Sequence, residues 1–314
     1  MKVLATTSQS LLLVDCSTGE SRVLHRGAGL YYGIARISSG FAVAARRRLV
    51  SSQTPREEER ACILHIDRDL RLREVLEAPF PLRDVHQIAW FDERLWVTCS
   101  FDDMIAIYDG RAWERWIPEF PPVADPARPV RDVQNDRHHF NSFFVAEDEV
   151  GLLAHNHGPS DVHFFDRRTR SFRSTISLGR QAHDIWRDGN AVITCSSIEG
   201  KVVGSNGWEV TTGGFPRGVC FDARNRAIGI SALSERGHRD FASAAIAVYD
   251  PYWRPLHYVQ LVREGMVLDL VQSTDAEFDM ADRQRLERVD FPMLERLDPA
   301  DLAADQGSGA NEST

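Results

Sequence analysis

The sequence predicts an all-β fold, a six-bladed β-propeller, because one strand pattern recurs along the chain and because the two chain ends complement each other. Apolar strands end in Asp and a turn five times, as in LLLVD-CSTG and VHFFD-RRT. An Asp carboxylate accepts hydrogen bonds from nearby backbone N–H groups and closes a tight turn. The strand-ending residues are Asp15, Asp67, Asp109, Asp166 and Asp250.

Each repeat is predicted to contain four short antiparallel strands, A to D, with strand A lining the central channel. Paired strand signals such as HQIAWF with RLWVTCS and HDIW with AVITCSS precede the turns, and VTCS at Cys99 matches ITCS at Cys195. Uneven spacing between repeats suits blades with loops of variable length. Strand A is predicted to begin near Tyr32, His86, Asn141, His183, Arg217 and Leu268.

The last predicted blade combines strands from both chain ends. Residues 2–25 supply three strands, and residues 265–272 supply a single strand without local partners. Together they complete a blade and remove exposed sheet edges. We therefore predict a propeller over residues 1–273. Residues 274–314 are predicted to form an extension that is partly helical and then disordered, from helical spacing followed by a polar composition.

Composition limits the class of protein. The 314 residues are 43% hydrophobic and 26% charged, and the net charge of −9 argues against nucleic-acid binding. No run approaches the roughly 18 apolar residues of a membrane span, and the N-terminus is typical of a strand rather than an export signal. Five cysteines without a CxxC pair suit reduced thiols, so we predict a cytoplasmic protein. The sequence predicts no oligomeric state.

Histidines suggest where the functional site lies. Five of the chain's eleven histidines fall between residues 138 and 163. The starts of strands A and the ends of strands B of all blades open onto one funnel. Because imidazole is the commonest metal ligand in proteins, we predict that His86, His139 and His183 bind a divalent metal, with Asn141 as the alternative to His139.

Other polar residues at the same funnel predict substrate chemistry. Asp184 and Glu235 are the predicted acid–base residues, and the planar fork of Arg217 suits a substrate carboxylate or phosphate. Substrate-binding roles are predicted for Tyr32, Gln87, Asn141, His155 and Arg236.

Structural explanations of the same residues remain open at this point. The histidines at strand starts can instead bond backbone groups and hold neighbouring blades together. Arg217 can be the partner of a buried carboxylate such as Asp269. His155 and His157 alternate along a strand end, so one of them is expected to point away from the channel.

The chain resembles a family of uncharacterised bacterial propeller proteins over about residues 80–272. The resemblance depends on His139–Asn141, His183–Trp186, Arg217–Phe221 and the Gly-x-Ser segment Gly229–Ser231, which Glu235 and Arg236 follow. Asn141 is followed by Ser where the family tends to have Gly, and Asp184 stands where it tends to have Ser. The resemblance implies a propeller with its site at these residues, and it implies no particular activity.

Two functions of different classes fit these residues. The first is a metal-dependent lyase, hydrolase or oxygenase that acts on a small polar or anionic molecule in the funnel. The second is a non-catalytic propeller that binds a sugar, a peptide or a protein partner through the same face, since the fold hosts both classes.

Overall fold

The computed structural model describes residues 1–120 and 135–281, with Arg236 described by its backbone only. The strands form six antiparallel sheets of four strands each, which confirms the predicted six-bladed propeller. In each sheet the chain runs from the innermost to the outermost strand, and blade 1 alone takes its innermost strand from the other end of the chain.

The strand bounds follow the blades in chain order. Blade 1 contains β1 (Lys2–Thr7), β2 (Ser10–Asp15) and β3 (Ser21–Arg26), and blade 2 contains β4 (Tyr31–Ile37), β5 (Gly40–Ala45), β6 (Cys62–Asp67) and β7 (Leu72–Leu76). Blade 3 contains β8 (Ile88–Phe91), β9 (Arg94–Cys99), β10 (Met104–Tyr108) and β11 (Trp113–Trp116). Blade 4 contains β12 (Phe140–Val145), β13 (Glu149–Ala154), β14 (Pro159–Asp166) and β15 (Phe172–Arg180).

The remaining strands complete the ring. Blade 5 contains β16 (His183–Asp188), β17 (Ala191–Ser196), β18 (Lys201–Gly204) and β19 (Glu209–Thr211). Blade 6 contains β20 (Phe215–Phe221), β21 (Arg226–Ser231), β22 (Ala244–Tyr249) and β23 (Pro255–Leu261). The last strand, β24 (Val267–Ser273), returns to blade 1 and pairs with β1.

Closure by both chain ends is confirmed. Strand β24 runs antiparallel to β1, with Lys2 opposite Ser273, in a sheet of order β24-β1-β2-β3. Helix α1 (Asp275–Met280) follows, and Thr274 caps it through reciprocal hydrogen bonds with Glu277. The predicted disordered tail lies outside the described residues, and the domain division at residue 273 stays a prediction.

The core lies between adjacent blades, where apolar side chains of neighbouring sheets interdigitate. Ala44 and Ile63 of blade 2, for example, belong to one buried cluster with Val97 and Ala106 of blade 3. All five cysteines are buried, and none of them forms a disulfide. No helix in the described parts of the chain has the length and apolar character needed to cross a membrane.

Polar side chains join the innermost strands around the axis. Gln87, Asp184 and Asp269 each use a side-chain oxygen to accept a backbone N–H from the next blade. The donors, in the same order, are Phe143 at 2.7 Å, Gly218 at 2.6 Å and Ile34 at 3.0 Å. These bonds fix the inner strands relative to each other, and with them the side chains at the strand starts.

Candidate metal and substrate site

Five histidines form one cluster, called here the histidine cluster, where strands A begin and strand B of blade 4 ends. Ring centroids lie 4.9 Å apart for His86 and His139, 5.0 Å for His139 and His155, and 4.8 Å for His139 and His157. His183 is 5.2 Å from His155 and 6.1 Å from His86. The structure therefore brings the predicted metal ligands His86, His139 and His183 together.

His86 and His183 are held by the same local geometry in two blades. Asp84 and Gln181 adopt positive φ values of 54° and 43°, and each turns its carbonyl toward the Nδ1 of the histidine two residues later. These distances are 2.8 Å for His86 and 3.0 Å for His183. Because a carbonyl only accepts, Nδ1 carries the proton in both rings, and the lone pair of each ring is on Nε2.

Serines extend this geometry to the neighbouring blade. The hydroxyl of Ser100 lies 3.1 Å from His86 Nδ1, and that of Ser197 lies 3.0 Å from His183 Nδ1. Each hydroxyl also donates to a backbone carbonyl of the following blade, at 2.6 and 2.7 Å. The Nδ1 side of both rings therefore does hold blades together, as the structural alternative expects, while the Nε2 side takes no part in this link.

His139 is oriented by a carboxylate. Its Nδ1 lies 2.5 Å from Asp136 Oδ1, and Asp136 Oδ2 lies 3.3 Å from Arg56. Burial alone raises the pKa of Asp136, but the hydrogen bond from His139 and the nearby His157 outweigh it and hold that pKa well below its usual range. Asp136 is therefore ionised, and it fixes the proton of His139 on Nδ1.

His155 and His157 both contact His139, whereas strict strand alternation predicts that one points away. The strand β13 ends before them, and Asn156 and His157 both have φ values of 54°, which breaks the alternation. His155 Nδ1 accepts the backbone N–H of His157 at 3.1 Å, so the proton of His155 is on Nε2. His157 Nε2 is 3.4 Å from Asp136, within ion-pair range but without a well-formed hydrogen bond.

The lone pair of His183 is already used. Arg217 Nη2 donates to His183 Nε2 at 3.0 Å, and Arg217 Nη1 donates to the Tyr32 hydroxyl at 3.0 Å. Burial, and then the charge of Arg217, lower the pKa of His183 well below its usual value. His183 is therefore neutral, and it positions the guanidinium.

Burial also keeps two other rings of the cluster neutral. It lowers the pKa of His86 well below its usual value, although the charge of Asp84 acts in the opposite direction. Burial, followed by the neighbouring His139, lowers the pKa of His155. Neutral imidazoles are the form that binds metal, so no proton has to leave His86 before its Nε2 can coordinate.

Asp84, which sequence reasoning missed, connects the cluster to a buried ionic network. Its carboxylate is 2.6 Å from Arg46 and 3.1 Å from Arg56, and its backbone N–H donates to Glu59. Arg46 also bonds both oxygens of Glu59. Burial alone raises the pKa of Asp84, but the charge of Arg46 first, and then the other cations, hold it well below its usual range.

Two sets of donor atoms lie close enough together to hold a metal ion. Asp84, His86 and His139 offer donor atoms that all lie within 4.8 Å of one another, and so do Asp136, His139 and His157. His139 belongs to both sets. The missed residues Asp84 and Asp136 have one sequence signal in common. Each is an acidic residue two or three positions before a histidine that lies just ahead of a strand A.

Arg217 is buried next to aromatic and neutral groups. Its guanidinium lies 4.8 Å from the centroid of the Phe215 ring, and its Nε has no hydrogen-bond partner. Among the described residues, no carboxylate forms an ion pair with it. This includes Asp269, whose two oxygens accept the backbone N–H groups of Ile34 and Leu270, so the alternative pairing of Arg217 with Asp269 is not found.

Some of the predicted substrate-binding residues have polar atoms without a protein partner, and others already use theirs in hydrogen bonds. Tyr32 lies 4.5 Å from His86 between ring centroids. Gln87 uses its amide oxygen for the link to blade 4, at 2.7 Å from Phe143 N. Asn141 donates to the carbonyl of Ala182 at 2.8 Å, which leaves its Oδ1 buried and without a partner.

The predicted acid–base residues lie in different surroundings. Asp184 is buried, and burial raises its pKa to about 6, although the Gly218 N–H and Arg217 act in the opposite direction. Glu235 is exposed and makes no hydrogen bond to the histidine cluster in the part of the chain that the structure describes. The side chain of Arg236 lies outside the described residues, so its predicted role stays untested.

Comparisons with known proteins identify a fold rather than a family. No protein-family model matches the chain, and no curated protein matches it. Among solved structures, it is similar to a protein of unknown function from Bacteroides caccae, with a TM-score of 0.61 at 11% identity. It is also similar to a chain of a nidogen/laminin complex, with a TM-score of 0.58 at 10% identity.

Both likenesses extend over most of the molecule, covering 86% of this chain and 97% of the other. Apo AztD from Citrobacter koseri matches over the same shares at 12% identity, with a TM-score of 0.44. At this level of identity the two closer likenesses show a propeller fold, and one of the proteins that has it is a bacterial protein of unknown function.

Proposed function

We propose that the histidine cluster binds a divalent transition metal and that the protein is a metal-dependent enzyme acting on a small polar or anionic substrate in the funnel. One observation carries the proposal. The Nδ1 atoms of His86 and His139 are both held by protein oxygens, at 2.8 and 2.5 Å, so both rings keep a lone pair on Nε2. Metal-binding histidines have this arrangement, in which a second contact fixes the tautomer and the ring orientation.

The proposed roles follow from which ring nitrogen of each histidine has no protein hydrogen bond. His86 and His139 are the metal ligands, with the ionised Asp136 supporting the second of them. A bound divalent metal polarises a substrate oxygen or activates water. His183, predicted from the sequence as a third ligand, is assigned to holding Arg217, because its Nε2 accepts from the guanidinium.

Two acid–base residues remain part of the proposal. Asp184 is the preferred one, since it is a buried carboxyl group that follows His183 in the chain. Its Oδ2 already accepts the Gly218 N–H, so Oδ1 is the oxygen that would exchange a proton with substrate. Glu235 is retained as a proton donor or acceptor at the open side of the funnel, where it is exposed to solvent.

Metal analysis of the full chain, purified without an affinity tag, tests the metal site. We expect about one equivalent of metal per chain, its loss in the double variant His86→Ala, His139→Ala, and its retention in His183→Ala. The control is His65→Ala, because His65 bonds Ser39 and has no ring contact with the cluster. A wild-type protein without metal, or a double variant that keeps it, contradicts the proposal and favours the non-catalytic binding propeller.

Turnover tests the enzymatic half of the proposal separately. Small carboxylates and phosphate esters are to be incubated with the metal-loaded protein, with chelator-treated protein and with Asp184→Asn. We expect turnover of at least one substrate, its loss with chelator, and its loss in Asp184→Asn without loss of bound metal. Turnover that survives chelation contradicts metal dependence.

A further inference from the structure

Arg217 differs from the other buried arginines because no carboxylate lies within ion-pair distance of it. Asp184 is near enough for the charge of Arg217 to lower its pKa, but its Oδ2 accepts the Gly218 N–H. The described arginines that are buried are Arg46, Arg48 and Arg217. Arg46 pairs with Glu59 and Asp84, and Arg48 lies 3.5 Å from Glu59. No carboxylate oxygen of the described residues lies within 4.0 Å of the Arg217 guanidinium, although its side chain is only 5% exposed. A buried cation without a partner is unfavourable, which indicates that an anion from outside completes this site.

The contacts of Arg217 orient it without neutralising it. Tyr32 Oη and His183 Nε2 both accept from it at 3.0 Å, and the Phe215 ring lies against the guanidinium. Its Nε–H is buried and unpaired. A planar guanidinium that is held at both Nη atoms keeps further N–H groups in a fixed orientation, which suits the oxygens of a carboxylate or phosphate.

A second arginine lies near this group. Arg239 donates from Nε to the carbonyl of Ser234 at 3.0 Å, and it has no ion pair with a carboxylate of the described residues. Burial, and then the charge of Arg217, lower the pKa of Arg239, so the two cations are close enough to repel each other. An anion bound at Arg217 would reduce this repulsion as well as the cost of burying the Arg217 charge.

Tyr32 connects this group to the proposed metal ligands. Its oxygen accepts from Arg217, so its own O–H proton is available to donate. Its ring lies 4.5 Å from the ring of His86. A small molecule bound to the guanidinium therefore has the histidine cluster directly beside it.

We propose that Arg217 and Tyr32 form a binding subsite for an oxyanion, the carboxylate or phosphate group of a small substrate whose other polar atoms face the histidine cluster. The assignment to a substrate rests on the proposed function, whereas the anion site itself requires no metal.

Anion titration of the full-length, chelator-treated protein tests the subsite, with sodium acetate and inorganic phosphate as separate probes in isothermal titration calorimetry. We expect saturable binding of at least one probe, and the tighter of the two identifies the class of anion. Arg217→Gln is expected to weaken that binding at least about tenfold, as for loss of a charge-assisted hydrogen bond. Arg217→Lys keeps the charge but loses the fork, and Tyr32→Phe loses one donor, so both are expected to weaken binding by smaller factors.

The matched control is Arg170→Gln, which removes the same charge from an exposed ion pair with Glu114. Its anion affinity is expected to equal that of the wild type. The proposal is overturned if the wild type binds neither probe, if Arg217→Gln and Tyr32→Phe both bind as tightly as the wild type, or if Arg170→Gln weakens binding equally. Anion binding by a wild-type protein that takes up no metal in the metal analysis refutes the metal-dependent enzyme alone. Metal uptake together with unchanged anion affinity in Arg217→Gln and Tyr32→Phe refutes the subsite alone.

Discussion

At the scale of single residues, the hydrogen bond made by one ring nitrogen of each histidine decides whether the other nitrogen can bind a metal. His86 and His139 give their Nδ1 protons to protein oxygens and keep Nε2 free. His183 gives up its Nε2 lone pair to Arg217, and His155 holds its proton on Nε2 because Nδ1 accepts a backbone N–H. Rings of the same type within one cluster therefore have different capacities for a metal.

A substitution of Asp136 tests whether the hydrogen bond at Nδ1 of His139 affects metal binding. Asp136→Asn keeps the shape of the side chain but removes the negative charge at 2.5 Å from His139 Nδ1. Because a carboxylate partner makes an imidazole a better ligand, we expect metal affinity to fall about 10- to 100-fold. Competition with a chelating dye measures the affinity. Asp109→Asn, at an exposed turn, is the control, and equal affinities in all three proteins would contradict this role of Asp136.

Sequence reasoning placed most of the site because histidines and Arg217 occur at positions that the repeat defines. It missed Asp84 and Asp136 because both lie in loops before the strands, where no periodicity indicates direction. It also could not tell which ring nitrogen is free, since that depends on carbonyls and carboxylates that only the fold brings to the rings. Asp136 is an example of both: it lies in a loop without periodicity, and its contact with His139 exists only in the folded chain.

At the scale of strands, irregular pairing at the start of strand A sets which side chain faces the site. The pairing of β12 with β13 skips Asn141, that of β16 with β17 skips Asp184, and that of β20 with β21 skips Gly218. These are β-bulges, in which one extra residue is inserted in one strand. Alignment of the sequence repeats placed Asn141 level with His183, whereas the equivalent bulges place Asn141 level with Asp184 and Phe140 level with His183.

Close approach between blades gives a prediction at this scale. An added Cβ at Gly33 would lie 2.4 Å from the backbone N of Ile88, so blades 2 and 3 would have to move apart locally to admit it. We expect Gly33→Ala to lower the free energy of unfolding by about 1–3 kcal/mol, measured by urea denaturation. Gly237→Ala is the matched control, because a Cβ there meets nothing within 4 Å. Equal stability of the two variants would show that the blades are not in tight contact at Gly33.

At the scale of the whole molecule, the ring depends on β24, which joins both ends of the chain. Asp269 on this strand also accepts the backbone N–H of Ile34 in blade 2 at 3.0 Å. The closing strand was predictable because residues 265–272 lacked local partners and residues 2–25 supplied only three strands. The hydrogen bond between Asp269 and Ile34 was not predictable, because the two residues are distant in sequence and meet only in the closed ring.

Asp269 predicts a pH dependence of stability. Burial raises its pKa in the folded protein well above the ordinary value of 3.8. Its contribution to stability is therefore fully present below about pH 4 and is lost as the pH rises through the raised pKa, by up to about 1.4 kcal/mol for each pH unit between the two values. Asp269→Asn does not titrate, so its unfolding free energy is expected to fall less with rising pH than that of the wild type.

Urea denaturation of the wild type and Asp269→Asn from pH 4 to pH 8 measures this difference. The variant loses one acceptor, since an amide cannot accept from both Ile34 and Leu270 as the carboxyl group does. Its absolute stability is therefore expected to be lower, and only the slope against pH tests the raised pKa. Parallel slopes for the two proteins would contradict the assignment.

The most direct measurement is anomalous diffraction, at a metal absorption edge, from crystals of the full chain loaded with zinc or manganese. The account predicts a peak about 2.0–2.2 Å from the Nε2 atoms of both His86 and His139, with the Nδ1 contacts to Asp84 and Asp136 retained. A metal-loaded crystal with no peak at these two rings, or with its peak on other residues, would contradict it.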